Sequence, residues 1–152
     1  MCKSVWVCGQ KNILKILSKK MKRVTAAILI KDTKILIAKR KADDRQANKW
    51  EFPGGTVEKN ESPEKCLKRE MQEEFGIEVS VGRFLGESTY HYDHGSIKLL
   101  VYLTYLVSGK LAPKDHSEFQ WVSTQQLSDY DFAPADIPFV EKLQNREIGI
   151  GL

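Results

Sequence analysis

The stretch "REMQEEFG", Arg69 to Gly76, places three glutamates where an isolated helix tolerates them poorly. On a helix, Glu73 and Glu74 lie roughly 60° and 40° to either side of Glu70, so the three carboxylates share one face. Glu73 and Glu74 also fall in the last turn, where the helix end is partially negative and neighbouring like charges repel each other. Such a face is either an ordinary solvated surface or a site for a cation.

The flanking residues predict where this helix begins and ends. Ser62 is a suitable N-cap and Pro63 suits the first helical position. Gly76 suits the position just past the last turn. The buried stripe is predicted from three apolar residues at four-residue spacing: Leu67, Met71 and Phe75. The acidic face therefore borders the face that packs on the core.

The rest of the chain from Lys22 predicts strands and one further helix. Apolar, β-branched runs such as "RVTAAILIK" and "SIKLLVYLTYLVSG" favour strands, and "WEFPGGTVE" predicts one brief strand interrupted by proline and glycine. The segment "PADIPFVEKLQNR" predicts a closing helix with four apolar residues on one face: Ile137, Phe139, Val140 and Leu143. The order β-β-β-α-β-β-β-α indicates a mixed α/β fold.

Length and composition restrict the class of protein. With 152 residues, 41% of them hydrophobic and 29% charged, the chain suffices for one domain with its own core. A net charge of +4 does not by itself indicate a nucleic-acid binder, and no apolar run is long enough to span a bilayer. Three cysteines without CxxC spacing argue against a disulfide framework or zinc site and favour the cytoplasm. Both a monomer and a homodimer are compatible with these features.

Residues 1–20 differ from the rest in composition. We interpret them as an N-terminal extension, disordered or a short helix, that precedes a domain over residues 21–152. The mixture of lysines and apolar residues in "NILKILSKKMKR" also fits a basic amphipathic helix at a membrane or an acidic partner. Nucleic-acid binding through this segment is a third hypothesis and predicts salt-sensitive binding to DNA.

The acidic helix is the end of a longer pattern. Gly55 is followed by five residues, then Glu61, seven residues and "REMQEEFGI". This arrangement resembles the signature box of the Nudix hydrolases at every fixed position. At about one in fifteen per position, seven fixed identities coincide by chance on the order of once in 10⁸ starting positions. The resemblance implies a Nudix-type α/β/α sandwich with a mixed β-sheet.

By this resemblance the acidic face is a metal site. Carboxylate ligation suits Mg²⁺, with Mn²⁺ as a second option, and either ion can neutralise phosphate oxygens and acidify a water. The resemblance implies that Glu70, Glu73 and Glu74 are metal ligands and catalytic residues, with the Gly54 carbonyl as a further ligand. It implies structural roles for four other residues: Gly55, Glu61, Arg69 and Gly76. Among these, Arg69 is expected to pair with Glu61.

Two further stretches, "AKRKADDRQANKWEFPGG" and "DFAPADIPFVEKL", are similar to the MutT and CTP pyrophosphohydrolase branch of the family. That branch implies hydrolysis of nucleoside triphosphates to the monophosphate and pyrophosphate, by attack of water at the β-phosphorus. The substrates include CTP or dCTP and oxidised nucleotides such as 8-oxo-dGTP, which would make the protein a sanitiser of the nucleotide pool. A catalytically silent nucleotide sensor is the alternative, and the retained glutamates argue against it.

The residues that would bind the nucleotide are also taken from the resemblance. Arg40 occupies a position that contacts nucleotide in MutT, and Asp136 stands where MutT has an asparagine that reads oxidised guanine. An ionised Asp136 only accepts hydrogen bonds and suits the cytosine amino group, whereas a protonated one also donates and suits 8-oxo-guanine. Its other interpretation is a favourable charge at a helix N-terminus. Tyr92 is a candidate for stacking on the base.

The general base stays open at this point. The loop carboxylate of MutT falls at Asp115, while Glu118 is close enough in sequence to serve instead. A box glutamate, Glu73 or Glu74, could also serve if no metal occupies it. The two loop histidines of this region are expected to face solvent: His94 and His116.

Overall fold

Seven strands form one mixed sheet between two helices in residues 21–151, the part of the chain that this computed structural model describes. The strands in chain order are β1 (Lys22–Lys31), β2 (Lys34–Arg40), β3 (Trp50–Glu51), β4 (Gly54–Thr56), β5 (Glu78–Tyr92), β6 (Gly95–Ser108) and β7 (His116–Val122). The helices are α1 (Pro63–Phe75) and α2 (Ile137–Gln144), with a 3₁₀ helix at Thr124–Asp129. No helix within residues 21–151 is long and apolar enough to cross a membrane. The predictions for residues 1–20 lie outside the described residues.

The sheet is mixed because β1 runs parallel to β6, whereas its other strand pairs are antiparallel. The main order is β3-β2-β1-β6-β5, with β4 paired to β1 and β7 paired to β2. The prediction of one brief strand in "WEFPGGTVE" is wrong, because β3 and β4 are separate strands with different neighbours. Pro53 between them has no N–H to donate, and its carbonyl accepts a hydrogen bond from the Ala27 N–H at 2.7 Å.

Both faces of the sheet are covered, so the core has two halves. Along β1, Ala26 and Ile28 belong to the half that packs against α2, and Ala27 and Leu29 belong to the half that packs against α1. This alternation is the period of two that a strand buried on both faces requires. The predicted α/β/α sandwich with a mixed sheet is therefore confirmed.

The capping residues set the bounds of α1 as predicted. The Ser62 hydroxyl accepts a hydrogen bond from the Lys65 N–H at 3.2 Å. Gly76 ends the helix with a left-handed φ of 69° and donates its N–H to the Gln72 carbonyl at 3.0 Å. The predicted stripe is fully buried: Leu67, Met71 and Phe75.

The closing helix α2 is present but its predicted apolar face is partly wrong. Phe139, Val140 and Leu143 are buried against the sheet, whereas Ile137 is 41% exposed. At 100° per residue, Ile137 lies roughly 160° around the helix from Phe139, so the two side chains cannot face the same core.

Candidate active site

A cavity of about 620 Å³ lies between the first residues of β1 and β6, the acidic face of α1 and the segment that precedes α2. Its walls carry a mixture of acidic, basic and aromatic groups. Eight of the candidate site residues singled out from the sequence line it: Arg40, Gly54, Gly55, Glu70, Glu74, Tyr92, Asp115 and Asp136. The fold therefore joins the acidic helix to the residues expected to bind nucleotide.

The two glycines of β4, Gly54 and Gly55, pack so closely against their neighbours that a side chain would collide with them. We call this pair the glycine cradle. A Cβ atom on Gly54 would lie 1.9 Å from the Thr25 carbonyl oxygen, and one on Gly55 would lie 2.2 Å from the Glu70 carboxyl carbon. The Thr25 hydroxyl donates a hydrogen bond to the Gly55 carbonyl at 3.2 Å and fixes this backbone. The absence of side chains lets the Glu70 carboxylate rest directly on the main chain of β4.

Arg69 connects the loop after β4 to α1. Its Nε and Nη2 donate to the two Glu61 oxygens at 2.7 and 3.0 Å, and Nη2 also donates to the Thr56 carbonyl at 3.2 Å. The Arg69 guanidinium holds the pKa of Glu61 at about 2, so this pair stays ionised at any physiological pH. Nη1 reaches the acidic face, where it donates to Glu70 at 2.8 Å and to Glu73 at 3.1 Å.

Glu73 is therefore turned toward Arg69. Its side chain is 59% exposed and is not among the described residues that line the cavity. The three box glutamates share a helix face, but in this structure only Glu70 and Glu74 reach the cavity.

Glu74 has the most unusual environment of the three. Its Oε2 atom is buried and has no hydrogen-bond partner. Burial first, and then the negative charges of Glu70, Glu51 and Asp115, raise its pKa to about 9. A buried carboxylate oxygen without a donor costs about 1–3 kcal/mol. This cost disappears if a cation lies beside it.

The donor set fits a divalent cation that prefers oxygen. Within residues 21–151, no three His, Cys, Asp or Glu side chains converge into a finished metal-binding cluster, and Glu73 is bonded to Arg69. Glu70, Glu74 and Gly54 nevertheless line the same cavity, and their carboxylate and carbonyl oxygens are the kind of donor that such a cation binds. Carboxylate and carbonyl oxygens suit Mg²⁺, Ca²⁺ or Mn²⁺ rather than zinc.

Arg40 and two residues missed in the sequence form a second polar group in the cavity wall. The Arg40 Nη1 donates to Glu51 Oε2 at 2.9 Å, and His116 Nε2 lies 2.8 Å from Glu51 Oε1. The expectation that His116 faces solvent is wrong, because β7 already begins at His116 and places it opposite Arg40. Only the pattern Trp50-Glu51-Phe52, an acid between two large aromatics, could have drawn attention to Glu51.

Asp136 is buried, with 5% of its surface exposed, and its side chain does not cap α2. Instead, its Oδ1 accepts a hydrogen bond from the Phe52 N–H at 3.0 Å. Burial and the nearby charge of Glu51 raise the pKa of Asp136 well above its usual range. The interpretation of Asp136 as a helix charge therefore loses its support, since its carboxyl is bonded to the Phe52 N–H and makes no capping hydrogen bond to the helix.

Aromatic side chains and one loop carboxylate complete the walls. Tyr92 lines the cavity and stacks on His94 with ring centroids 5.2 Å apart. His94 is exposed, as expected, but it also lines the cavity. Of the two candidates for general base, Asp115 lines the cavity, whereas Glu118 is exposed and is not among the described lining residues.

A glycine cradle against an acidic helix face, beside a pocket with an arginine and a buried carboxyl, defines a site for a metal-bound phosphate compound. The chain belongs to the Nudix hydrolase family, since residues 21–143 match the NUDIX domain.

Similar proteins indicate which branch of that family the chain resembles. The chain is 40% identical over 122 residues to the CTP pyrophosphohydrolase of Escherichia coli (strain K12), and the alignment covers 80% of this chain and 90% of the relative. It is 34% identical over 126 residues to the 8-oxo-dGTP diphosphatase of the same strain, covering 83% and 98% of the two chains. Among solved structures, the E. coli ORF135 protein matches with a TM-score of 0.73 and 38% identity over 84% of this chain and 91% of that one.

Proposed function

We propose that this protein is a divalent-cation-dependent nucleoside triphosphate diphosphatase that releases the nucleoside monophosphate and pyrophosphate. The single observation that carries this proposal is the buried, unpartnered Oε2 of Glu74, a residue that lines the cavity of about 620 Å³ together with Glu70 and the glycine cradle. The names of the two relatives support the same reaction class.

The metal is Mg²⁺, with Mn²⁺ as a substitute, because the available donors are oxygens. Glu70, Glu74 and the Gly54 carbonyl would hold it, together with Glu73 once that side chain leaves Arg69. Held by these residues, such an ion would supply charge that neutralises phosphate oxygens and would lower the pKa of the attacking water. Glu61 keeps Arg69 in place during this exchange, since two of the arginine's nitrogens remain on it.

The residues of the chain divide the remaining work. The attacking water forms a bond to the β-phosphorus, the bond from that phosphorus to the α,β-bridging oxygen breaks, and the monophosphate leaves. Asp115 takes the proton of the water, because it lies at the cavity and close enough to Glu74 to raise the pKa of that residue. Arg40 neutralises charge on the nucleotide side of the cavity.

Asp136 recognises the base as a protonated carboxyl. Phe52 already donates to its Oδ1, so the acid offers one further donor and one acceptor to a ligand. Cytosine presents a complementary pair, with N4–H₂ as donor and N3 as acceptor. Guanine presents two acceptors, N7 and O6, until oxidation at C8 turns N7 into an N–H donor. A neutral Asp136 therefore accepts both cytosine and 8-oxo-guanine and disfavours guanine, which agrees with the names of both relatives.

The same proposal places the protein in the cytoplasm, where nucleoside triphosphates occur, as a monomer or homodimer without stable binding to nucleic acid. The buried free thiol of Cys66 is compatible with a reducing compartment.

A panel of triphosphates with Mg²⁺, Mn²⁺ or EDTA tests the function. We expect kcat/KM to be higher for dCTP, CTP and 8-oxo-dGTP than for dGTP, with pyrophosphate rather than phosphate as product and no turnover in EDTA. Nucleotide binding without turnover in Mg²⁺ and Mn²⁺ would instead support the alternative, a nucleotide sensor. Release of inorganic phosphate would contradict attack at the β-phosphorus.

A further inference from the structure

The Glu51 carboxylate ties together three adjacent strands. Glu51 lies on β3, and its two oxygens bind Arg40 at the end of β2 (2.9 Å) and His116 at the start of β7 (2.8 Å). Because β2 lies between the other two strands, this carboxylate bridges the wall of the cavity. Each oxygen has one specific partner, so Glu51 is held from both sides.

His116 lies in the cavity wall, where its ring is held against this carboxylate and is largely shielded from solvent. Only 4% of its side chain is exposed, and its ring stacks on Phe75 with centroids 5.2 Å apart and planes 18° apart. An ionised carboxylate only accepts hydrogen bonds, so Nε2 carries the proton that points at Glu51. Nδ1 is buried without a partner, which suits the lone pair of this tautomer.

The contacts of His116 connect the proposed nucleotide side of the cavity, which contains Arg40, with the proposed metal side, which contains Glu74. Phe75 follows Glu74 on α1, and the negative charge of Glu51 acts on both Glu74 and Asp136. A shift of Glu51 would therefore release Arg40 on the nucleotide side and change the field at the metal side. Without His116, one oxygen of a half-buried carboxylate loses its donor, and the Glu51 side chain is then held only by the Arg40 guanidinium, which also pairs with Asp44.

We propose that His116 is a positioning residue for nucleotide hydrolysis: through its bond to Glu51 it fixes the Arg40 guanidinium in the nucleotide pocket. This inference rests on the proposed function. It assigns a role to a histidine that need not touch the substrate, and it makes nucleotide binding, more than the chemical step, depend on that histidine.

The test compares two substitutions at one position. His116→Leu keeps an apolar side chain against Phe75 and removes the donor, whereas His116→Gln places an amide nitrogen near the position of Nε2. We expect His116→Leu to lower kcat/KM for the preferred triphosphate about 10- to 100-fold, mainly through KM, and His116→Gln to recover most of the loss. In a Glu51→Gln background, His116→Leu should have little further effect, because the partner is already changed.

The controls separate this role from folding and from the proposed function. His91→Gln alters an exposed histidine of β5 outside the described cavity lining and should leave kcat/KM unchanged. Binding of a non-hydrolysable dCTP analogue, measured by calorimetry with and without Mg²⁺, should weaken in His116→Leu in parallel with KM. Full activity and analogue binding in a folded His116→Leu protein would overturn the inference, as would equal losses in the Leu and Gln variants. An inactive wild type that still binds the analogue less tightly after His116→Leu would refute the proposed function alone.

Discussion

Replacing Glu74 by glutamine should stabilise the protein in the absence of metal, and by more as the pH rises. The pKa of Glu74 is raised from 4.5 to about 9 by burial and by three neighbouring acids. A raised folded pKa favours the protonated form in the folded state, so the unfolded chain releases this proton first. Glu74 therefore does not lower the free energy of unfolding below pH 4.5, and it lowers it progressively as the pH rises toward 9.

The size of the effect follows from the gap between pH and the unfolded pKa. At 1.36 kcal/mol per unit, keeping Glu74 protonated at pH 7 costs roughly 3 kcal/mol, and less than ~1 kcal/mol at pH 5. Relaxation of the acidic cluster reduces this cost, so we expect Glu74→Gln to gain about 1–3 kcal/mol at pH 7. Glutamine is neutral at every pH, so it occupies the buried position without this cost of protonation.

Urea denaturation at pH 5, 7 and 8.5, in EDTA and in Mg²⁺, measures this directly. The wild type should lose stability with rising pH in EDTA and recover it in Mg²⁺, whereas Glu74→Gln should respond weakly to both. Glu73→Gln is the matched control, since Glu73 is exposed and bonded to Arg69, and it should show no gain that grows with pH. A Glu74→Gln protein less stable than wild type at pH 8.5 in EDTA would refute the electrostatic account of this site.

Four substitutions probe the remaining parts of the site. Glu73→Gln should lower kcat by at least ~100-fold with little change in stability, which checks that this carboxylate leaves Arg69 to serve the metal. Gly55→Ala should abolish activity but leave a folded protein by circular dichroism, because the added Cβ meets a movable Glu70 carboxylate; Gly54→Ala, which meets the Thr25 carbonyl, should fail to fold. Asp136→Asn should keep kcat/KM for dCTP and 8-oxo-dGTP within a few-fold and lose the decline at high pH that ionisation of Asp136 causes in the wild type.

The parts of the fold that the sequence predicts well are those whose causes are local. The bounds of α1 depend on Ser62, Pro63 and Gly76, and each acts within its own turn of the chain. The division of "WEFPGGTVE" into β3 and β4 is not local, because it depends on which distant strand each piece joins. The exposure of Ile137 also depends on where the sheet lies relative to α2, which a list of apolar residues does not contain.

The same distinction applies to the site. The box glutamates and their arginine lie within one helix and its preceding loop, so their pattern is visible in a single stretch of sequence. The nucleotide pocket is assembled from contacts across long distances in the chain: Phe52 to Asp136, and Glu51 to His116. A histidine in a polar segment resembles a solvated one until the partner strand is known, which is why the sequence alone predicts a surface position for His116.

The structure also explains how a helix with three crowded glutamates can persist before metal binds. Arg69 neutralises two of them, since its Nη1 reaches both Glu70 and Glu73, while its Nε and Nη2 stay anchored on Glu61. Glu74 lies beyond the reach of these donors and alone retains an unpartnered oxygen, with a pKa of about 9. The cost of burying this acidic face is thus concentrated on one carboxyl group at the cavity wall, which holds a proton at neutral pH. In the proposed mechanism, a dication bound there would replace that proton and would compete with one arginine nitrogen, Nη1, for Glu70 and Glu73.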